Sequence, residues 1–132
     1  MTDECQDSSC LGCRFRVLVC GSREWVAPFP IWRELQTLLL AEPNLLVIHG
    51  GARGADRLSG QAAASLGIPV IEVPAEWERY GRGAGMIRNQ RLLEMSPHLV
   101  LAFHENVDAS MGTRDMIRRA RETGIETQVF MS

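Results

Sequence analysis

The residues best placed to do chemistry lie in one short stretch, Leu45 to Asp56, which reads LLVIHGGARGAD. Its three glycines allow the backbone to turn sharply and to approach a ligand closely. A helical pattern begins at Ala55, so free N–H groups at the helix start could face an anion such as phosphate. Arg53 adds a positive charge, and Asp56 lies in the first helical turn, where a carboxylate is favoured. The stretch predicts a phosphate-binding turn; a turn that only reverses the chain is the alternative.

Further candidate residues follow other apolar runs. Gly21-Ser22-Arg23 offers a hydroxyl and a guanidinium, and Gly112-Thr113 forms a second glycine corner that could hold a phosphate from another side. Arg88 and Asn89, near a helix start, could bind phosphate or sugar through the guanidinium fork and the carboxamide. A plain helix cap or a surface position is the alternative for these residues.

Trp77 could stack on a base, or together with Tyr80 it could cover an edge of the core. His49 follows a strand and is interpreted as a hydrogen-bonded turn residue. The basic run of the last helix, which we interpret as a solvated face, comprises Arg118, Arg119 and Arg121. No Ser-His-Asp order, HExxH motif or paired-carboxylate constellation is visible.

Residues 1 to 13 are polar and without periodicity, and we expect a flexible tail. The tail contains Cys5, Cys10 and Cys13, of which the last two form a CxxC pair suited to zinc. Zinc would need a fourth ligand from elsewhere, since Cys20 falls in a predicted strand. A metal-free tail is the alternative, and disulfides are not expected without a secretory signal.

The composition sets limits on function. A chain of 132 residues, 45% hydrophobic and 23% charged, predicts one globular domain, here residues 14–132. No apolar run reaches the roughly 20 residues that span a bilayer, and no signal peptide is visible, which predicts a cytoplasmic protein without membrane contact. A net charge of −2 argues against an extended electrostatic interface with nucleic acid. All 14 basic residues are arginine, which excludes a Schiff-base lysine and a phosphate-loop lysine. Arginine favours bidentate contacts with phosphate.

Apolar periodicity and turn residues predict alternating strands and helices. The predicted strands are 14–20, 45–48, 68–73, 98–103 and 125–131, and the predicted helices are 31–40, 55–66, 83–95 and 112–123. This alternation predicts a Rossmann-like α/β three-layer sandwich of about five parallel strands with helices on both faces. Ligands bind such folds outside the carboxyl ends of the strands, where the candidate residues collect.

Taken together, GSR, HGGARGAD, GAGMIRNQ and MGTRDM resemble the SLOG superfamily, and most of all its YspA-type branch of small stand-alone domains. The resemblance covers roughly residues 15 to 130. It implies a Rossmann-like domain that binds nucleotides or nucleotide-derived ligands, as a sensor or accessory protein, and by analogy a homodimer.

Two more distant resemblances imply other functions. The LOG phosphoribohydrolases carry PGGxGTxxE, which Gly112 and Thr113 match, but Met116 stands at the position of the catalytic Glu. For an N-glycosidic hydrolase, Asp56 or Asp115 would then have to supply the carboxylate. The DNA-processing protein A family has a GSR, an SGxARGID-like turn and an RNR-like helix and binds single-stranded DNA, an interpretation that the net acidity here weakens.

The sequence therefore predicts a nucleotide-derived ligand, with zinc as the one conceivable cofactor and nucleic acid as a less favoured partner. The residues predicted to bind nucleotide or phosphate are Gly21, Ser22, Arg23, Gly50, Gly51, Ala52, Arg53, Gly54, Asp56, Arg88, Asn89, Gly112 and Thr113.

Overall fold

The computed structural model of the protein describes residues 14–131. The strands are β1 (Phe15–Gly21), β2 (Leu45–His49), β3 (Val70–Glu72), β4 (Leu99–Phe103) and β5 (Glu126–Phe130). The helices are α1 (Pro28–Ala41), α2 (Ala55–Ser65), α3 (Trp77–Tyr80), α4 (Ala84–Glu94) and α5 (Met111–Glu122). Two 3₁₀ turns, Gly81–Gly83 and Val107–Ala109, precede α4 and α5.

The five strands form one parallel sheet in the order β3-β2-β1-β4-β5. The chain builds outward from β1 to β3 and then returns to the other side of β1 to form β4. The strand order therefore reverses between β1 and β4, and in open parallel sheets a crevice for ligands forms outside the carboxyl ends at such a point.

Helices cover both faces of the sheet, and each face has its own core. On one face, Val17 and Val19 of β1 are buried in the cluster that contains Ile31 of α1 and Ala63 of α2. On the other face, Leu18 belongs to a cluster with side chains of α4 and α5. The alternation along β1 follows the period of two of a strand. The predicted three-layer α/β fold with five parallel strands is confirmed.

Most element boundaries lie within one residue of the prediction, and three differences are larger. Helix α1 begins at Pro28 rather than Ile31, because proline is well tolerated in the first helical turn. Strand β3 is limited to Val70–Glu72, shorter than the predicted 68–73. The segment 74–82, predicted as a loop, contains α3 and a 3₁₀ turn, whose few residues are too short for periodicity to reveal.

The predicted tail, with Cys5, Cys10 and Cys13, lies outside the described residues, so its zinc site stays a prediction. Within residues 14–131 no group of three or more His, Cys, Asp or Glu side chains is arranged to hold a metal ion. Cys20 is a free thiol, and burial raises its pKa. None of the helices between residues 14 and 131 combines the length and apolar character needed to cross a membrane.

Candidate ligand-binding site

A crevice with a volume of about 920 Å³ lies at the carboxyl ends of the strands, where the strand order reverses. Its walls come from the ends of β1 and β4, the turn after β2, the start of α4 and the start of α5. The predicted collection of the candidate residues at the carboxyl ends of the strands therefore agrees with the geometry. Most of the predicted binding residues line this crevice or the pocket beside it.

Ser22, in the turn after β1, is buried and holds three elements together. Its backbone N–H donates to the carbonyl oxygen of Phe103 at 2.9 Å, and its carbonyl oxygen accepts from the N–H of Ala55 at 3.0 Å. Its hydroxyl accepts a hydrogen bond from the N–H of Glu24 at 2.9 Å. Ser22 thus fixes the position of Arg23, the next residue, at the edge of the crevice.

Hydrogen bonds within the protein stabilise the glycine-rich turn after β2. One carboxylate oxygen of Asp56, Oδ2, accepts hydrogen bonds from the N–H groups of Gly50 at 3.0 Å and Ala52 at 3.2 Å. The N–H of Gly51 donates to Nδ1 of His49 at 2.9 Å, as expected for a turn histidine. These three amides are therefore engaged inside the protein, and the Arg53 side chain is the charged group that this turn offers to an anion.

The glycines of this region serve close packing within the protein. Gly54 has a φ of +80°, and a Cβ at this position would clash with the carbonyl oxygen of Ser22. A side chain at Gly50 would collide with the guanidinium of Arg88. Gly112 differs, because a Cβ there would meet no atom within 4 Å. It lines the crevice beside Thr113, which is buried and whose N–H donates to the N-cap hydroxyl of Ser110.

Asp56 is the most perturbed carboxyl group of the crevice wall. Burial raises its pKa to about 6, against the opposing effects of the Arg88 charge, the amide hydrogen bonds and the Arg23 charge. A raised carboxyl pKa in a cleft is a feature of many functional sites, although burial in a structural network produces it as well. Here the same group organises the glycine turn.

A second cavity of about 370 Å³ adjoins the crevice. Four arginines line it, Arg23, Arg53, Arg57 and Arg88, and we call it the arginine pocket. Arg53 forms a salt bridge with Glu24 at 2.7 Å, whereas the other three have no carboxylate within 4.0 Å among residues 14–131. Arg88 instead donates from Nη1 to the carbonyl oxygen of Gly50 at 2.9 Å. The pocket lining therefore carries a net positive charge, which Asp56 in the crevice wall offsets only in part.

Trp77 lies on the wall that the two cavities share. Its side chain is about half exposed, and the guanidinium of Arg23 lies over its ring, 5.6 Å from the ring centroid. In this structure the guanidinium of Arg23 thus stacks on the exposed indole. Stacking of a base on the same face, as predicted, would require Arg23 to move towards the arginine pocket.

Asn89 and Asp115 face each other between α4 and α5. Asn89 is buried, and its amide Nδ2 donates to the carbonyl oxygen of Gly112 at 3.1 Å and to Oδ2 of Asp115 at 3.0 Å. Asp115 also accepts from Arg118 at 2.9 Å and from Arg119 at 2.7 Å. Its carboxylate does not line the crevice, whereas Met116 does. Of the two candidate catalytic carboxylates, the structure brings only Asp56 to the crevice.

Several residues that line the two cavities were missed by the sequence reasoning, and two of them are charged residues of particular interest. Arg57 lies in the first turn of α2, four residues after Arg53 of the glycine-rich turn, and this closeness in the sequence was the available signal. Glu105 follows β4 and lines the crevice. The pKa of Glu105 is lowered by a hydrogen bond from its own backbone and by one from Ser22. Nothing in the sequence near Glu105 signals this contact.

A model of the YspA, cpYpsA-related SLOG family matches residues 15–80, which is half of the chain. The chain belongs to this family. The resemblance seen in its motifs is thereby confirmed, and the matched region contains β1 to α3, with both the GSR turn and the glycine-rich turn. Membership in the SLOG family suggests a role in binding a nucleotide-related ligand.

Two known proteins are similar to this SLOG-family chain in sequence or in structure. The chain is 36% identical over 116 residues to the Gene 61 protein of Mycobacterium phage D29, an alignment that covers 83% of this chain and 91% of the phage protein. The crystal structure of DNA processing protein A (DprA) from Streptococcus pneumoniae matches 92% of this chain with a TM-score of 0.57 at 16% identity. The match spans 60% of the DprA chain, and at this identity it supports the fold alone.

Proposed function

We propose that this SLOG-family protein binds a nucleotide or nucleotide-derived ligand at the carboxyl ends of its strands, as a sensor or accessory protein. The observation that supports this proposal is the junction of the arginine pocket with the crevice. Arg23, Arg88 and Trp77 line both cavities, so one ligand could occupy them together. Guanidinium groups suit phosphate oxygens, and the apolar part of the crevice, formed by side chains such as Leu92 and Met116, suits a nucleoside.

The positions of the two candidate carboxylates favour a ligand-binding function over a catalytic one. Oδ2 of Asp56 already accepts two amide hydrogen bonds, and Asp115 is held by Asn89 and two arginines outside the crevice. Met116, at the position where the LOG motif has its catalytic Glu, contributes an apolar side chain to the crevice wall. A thioether can neither donate a proton nor stabilise an oxocarbenium-like state as a carboxylate does.

A thermal-shift screen of nucleoside mono- and diphosphates, cyclic nucleotides and ADP-ribose tests the proposal. A ligand present at about 100 times its Kd, binding only the folded state, adds about 2.7 kcal/mol of stability and raises Tm by several degrees. Arg88→Gln should reduce the shift, because it removes a guanidinium from both cavities. Arg33→Gln is the matched control, since Arg33 lies on α1 away from these cavities. Absence of any nucleotide shift, or equal shifts in both variants, would count against the proposal.

One observation favours a second candidate function, hydrolysis of a nucleotide N-glycosidic bond. Asp56 is a crevice carboxyl with its pKa raised to about 6, the range in which a general acid works near neutral pH. Incubation with the stabilising nucleotide followed by chromatography would show free base only if the protein is a hydrolase. Asp56→Asn should then abolish base release. A parallel gel shift with oligonucleotides at moderate salt separates single-stranded DNA binding from both.

A further inference from the structure

The arginine pocket is larger than one phosphate group needs. The pocket is partly open to solvent and has a volume of about 370 Å³, against about 30 Å³ for one water molecule in the liquid. The pocket therefore has room for more than one phosphate group.

The charge of the pocket also exceeds that of one phosphate. Arg23, Arg57 and Arg88 have no carboxylate within 4.0 Å among the described residues, and the salt bridge to Glu24 offsets only Arg53. A buried carboxyl, Asp56, lies in the crevice wall rather than in the pocket lining, and its charge offsets part of that of Arg88 and Arg23. A phosphate monoester carries about −1.5 to −2 at pH 7, less than the three positive charges of the pocket lining. A diphosphate matches them better.

The lining of the pocket disfavours a metal complex of the ligand. Proteins that hold Mg²⁺-bound phosphates usually supply one or two carboxylates to the metal. No Asp or Glu side chain is part of the pocket lining within residues 14–131. The three guanidiniums without a carboxylate partner can themselves neutralise the phosphate oxygens, each through a bidentate contact.

We propose that the ligand carries at least two linked phosphates, which Arg23, Arg57 and Arg88 bind in the arginine pocket without Mg²⁺. The nucleoside of the ligand would extend past Trp77 into the crevice. Only this placement of the nucleoside rests on the proposed function. The chemistry is that of a diphosphate, whether terminal, as in a nucleoside diphosphate, or bridging, as in ADP-ribose.

Isothermal titration calorimetry tests this with AMP, ADP, ADP-ribose and inorganic pyrophosphate, each in EDTA and again with Mg²⁺. ADP or ADP-ribose should bind at least tenfold more tightly than AMP, because each additional charge-assisted hydrogen bond is worth about one decade in affinity. Mg²⁺ should leave the affinity unchanged or reduce it. Comparison of ADP with ADP-ribose identifies which of the two kinds of diphosphate fits.

Arg57→Gln is the informative variant, because Arg57 lines the arginine pocket but not the crevice. It should reduce the preference for ADP over AMP about tenfold, whereas the control Arg33→Gln should preserve it. Urea denaturation of both variants shows whether they fold as the wild type does. If Arg57→Gln is destabilised, Arg57→Lys, which keeps the charge but loses the fork, should retain part of the preference.

The outcomes separate the two proposals. Equal affinity for AMP and ADP, or a requirement for Mg²⁺, would overturn the diphosphate site and leave nucleotide binding intact. Binding of pyrophosphate with no binding of any nucleotide would support the diphosphate site and overturn the proposed function. Binding of none of the four compounds would overturn both.

Discussion

Replacement of Asp56 by Asn tests whether the buried charge of Asp56 costs the folded protein stability. The carbonyl oxygen of Asn can keep both hydrogen bonds from the N–H groups of Gly50 and Ala52, since both go to one oxygen of the carboxylate. The substitution removes the ionisation and places an amide NH2 where the second carboxylate oxygen stands. Because Asp56 is 6% exposed, its charge is poorly solvated in the folded protein.

The sign of the effect follows from the pKa. Burial raises the pKa of Asp56 from 3.8 to about 6, so between these values the folded protein binds a proton that the unfolded chain releases. The free energy of unfolding of the wild type therefore falls as pH rises through this window and then levels off. A shift of this size corresponds to about 3 kcal/mol, present as a penalty above pH 7 and absent below about pH 4.

Urea denaturation of the wild type and Asp56→Asn, at intervals between pH 4.5 and 8, measures this effect. The difference in unfolding free energy, variant minus wild type, should increase over this range by about 2 kcal/mol and reach a plateau near pH 7. Other titrating groups cancel in this difference. A difference that stays constant, or that decreases with pH, would refute the assignment of a raised pKa to Asp56.

The remaining predictions concern backbone space and the α4–α5 contact. Gly54→Ala should destabilise the fold by at least about 2 kcal/mol in urea denaturation, because φ is +80° and the Cβ would meet the Ser22 carbonyl; a loss below about 0.5 kcal/mol would contradict this. Gly112→Ala should leave the free energy of unfolding equal or slightly higher, since its Cβ meets no atom within 4 Å. The same substitution should weaken nucleotide binding in calorimetry, because the added methyl group stands in the crevice wall. Asp115→Asn should lower stability by about 1 to 2 kcal/mol through the lost ion pairs with Arg118 and Arg119, and should leave ligand affinity unchanged; a change in affinity without a change in stability would place Asp115 in the site.

The fold was predictable from the sequence because each element carries a local signal. The apolar runs of β2 and β4 are buried on both faces, as parallel strands between helices must be. Gly67 and Gly124, both with positive φ, follow α2 and α5, where glycine commonly terminates a helix. Because strands and helices alternate, few sheet topologies are compatible with the chain. In all of them the strands are parallel, so the site is expected at the carboxyl ends of the strands.

The internal arrangement of the site was less predictable, because it depends on contacts between distant residues. The pattern GGARGAD predicts a tight turn, but the use of its amides by Asp56 is a feature of the folded turn. The meeting of Arg88 with Gly50, 38 positions apart, likewise arises only when α4 packs beside β2. In the sequence Asp115 is displaced from the LOG-like position by one residue, and the structure shows that this residue turns its carboxylate to α4.

The central claim, that a nucleotide-type ligand occupies the crevice and the arginine pocket together, is tested most directly by a crystal structure of the protein with ADP, grown in EDTA. We expect the phosphates among Arg23, Arg57 and Arg88, and the nucleoside beyond Trp77 between the ends of β1 and β4. Density for ADP at any other surface, with both cavities holding only water, would contradict the account.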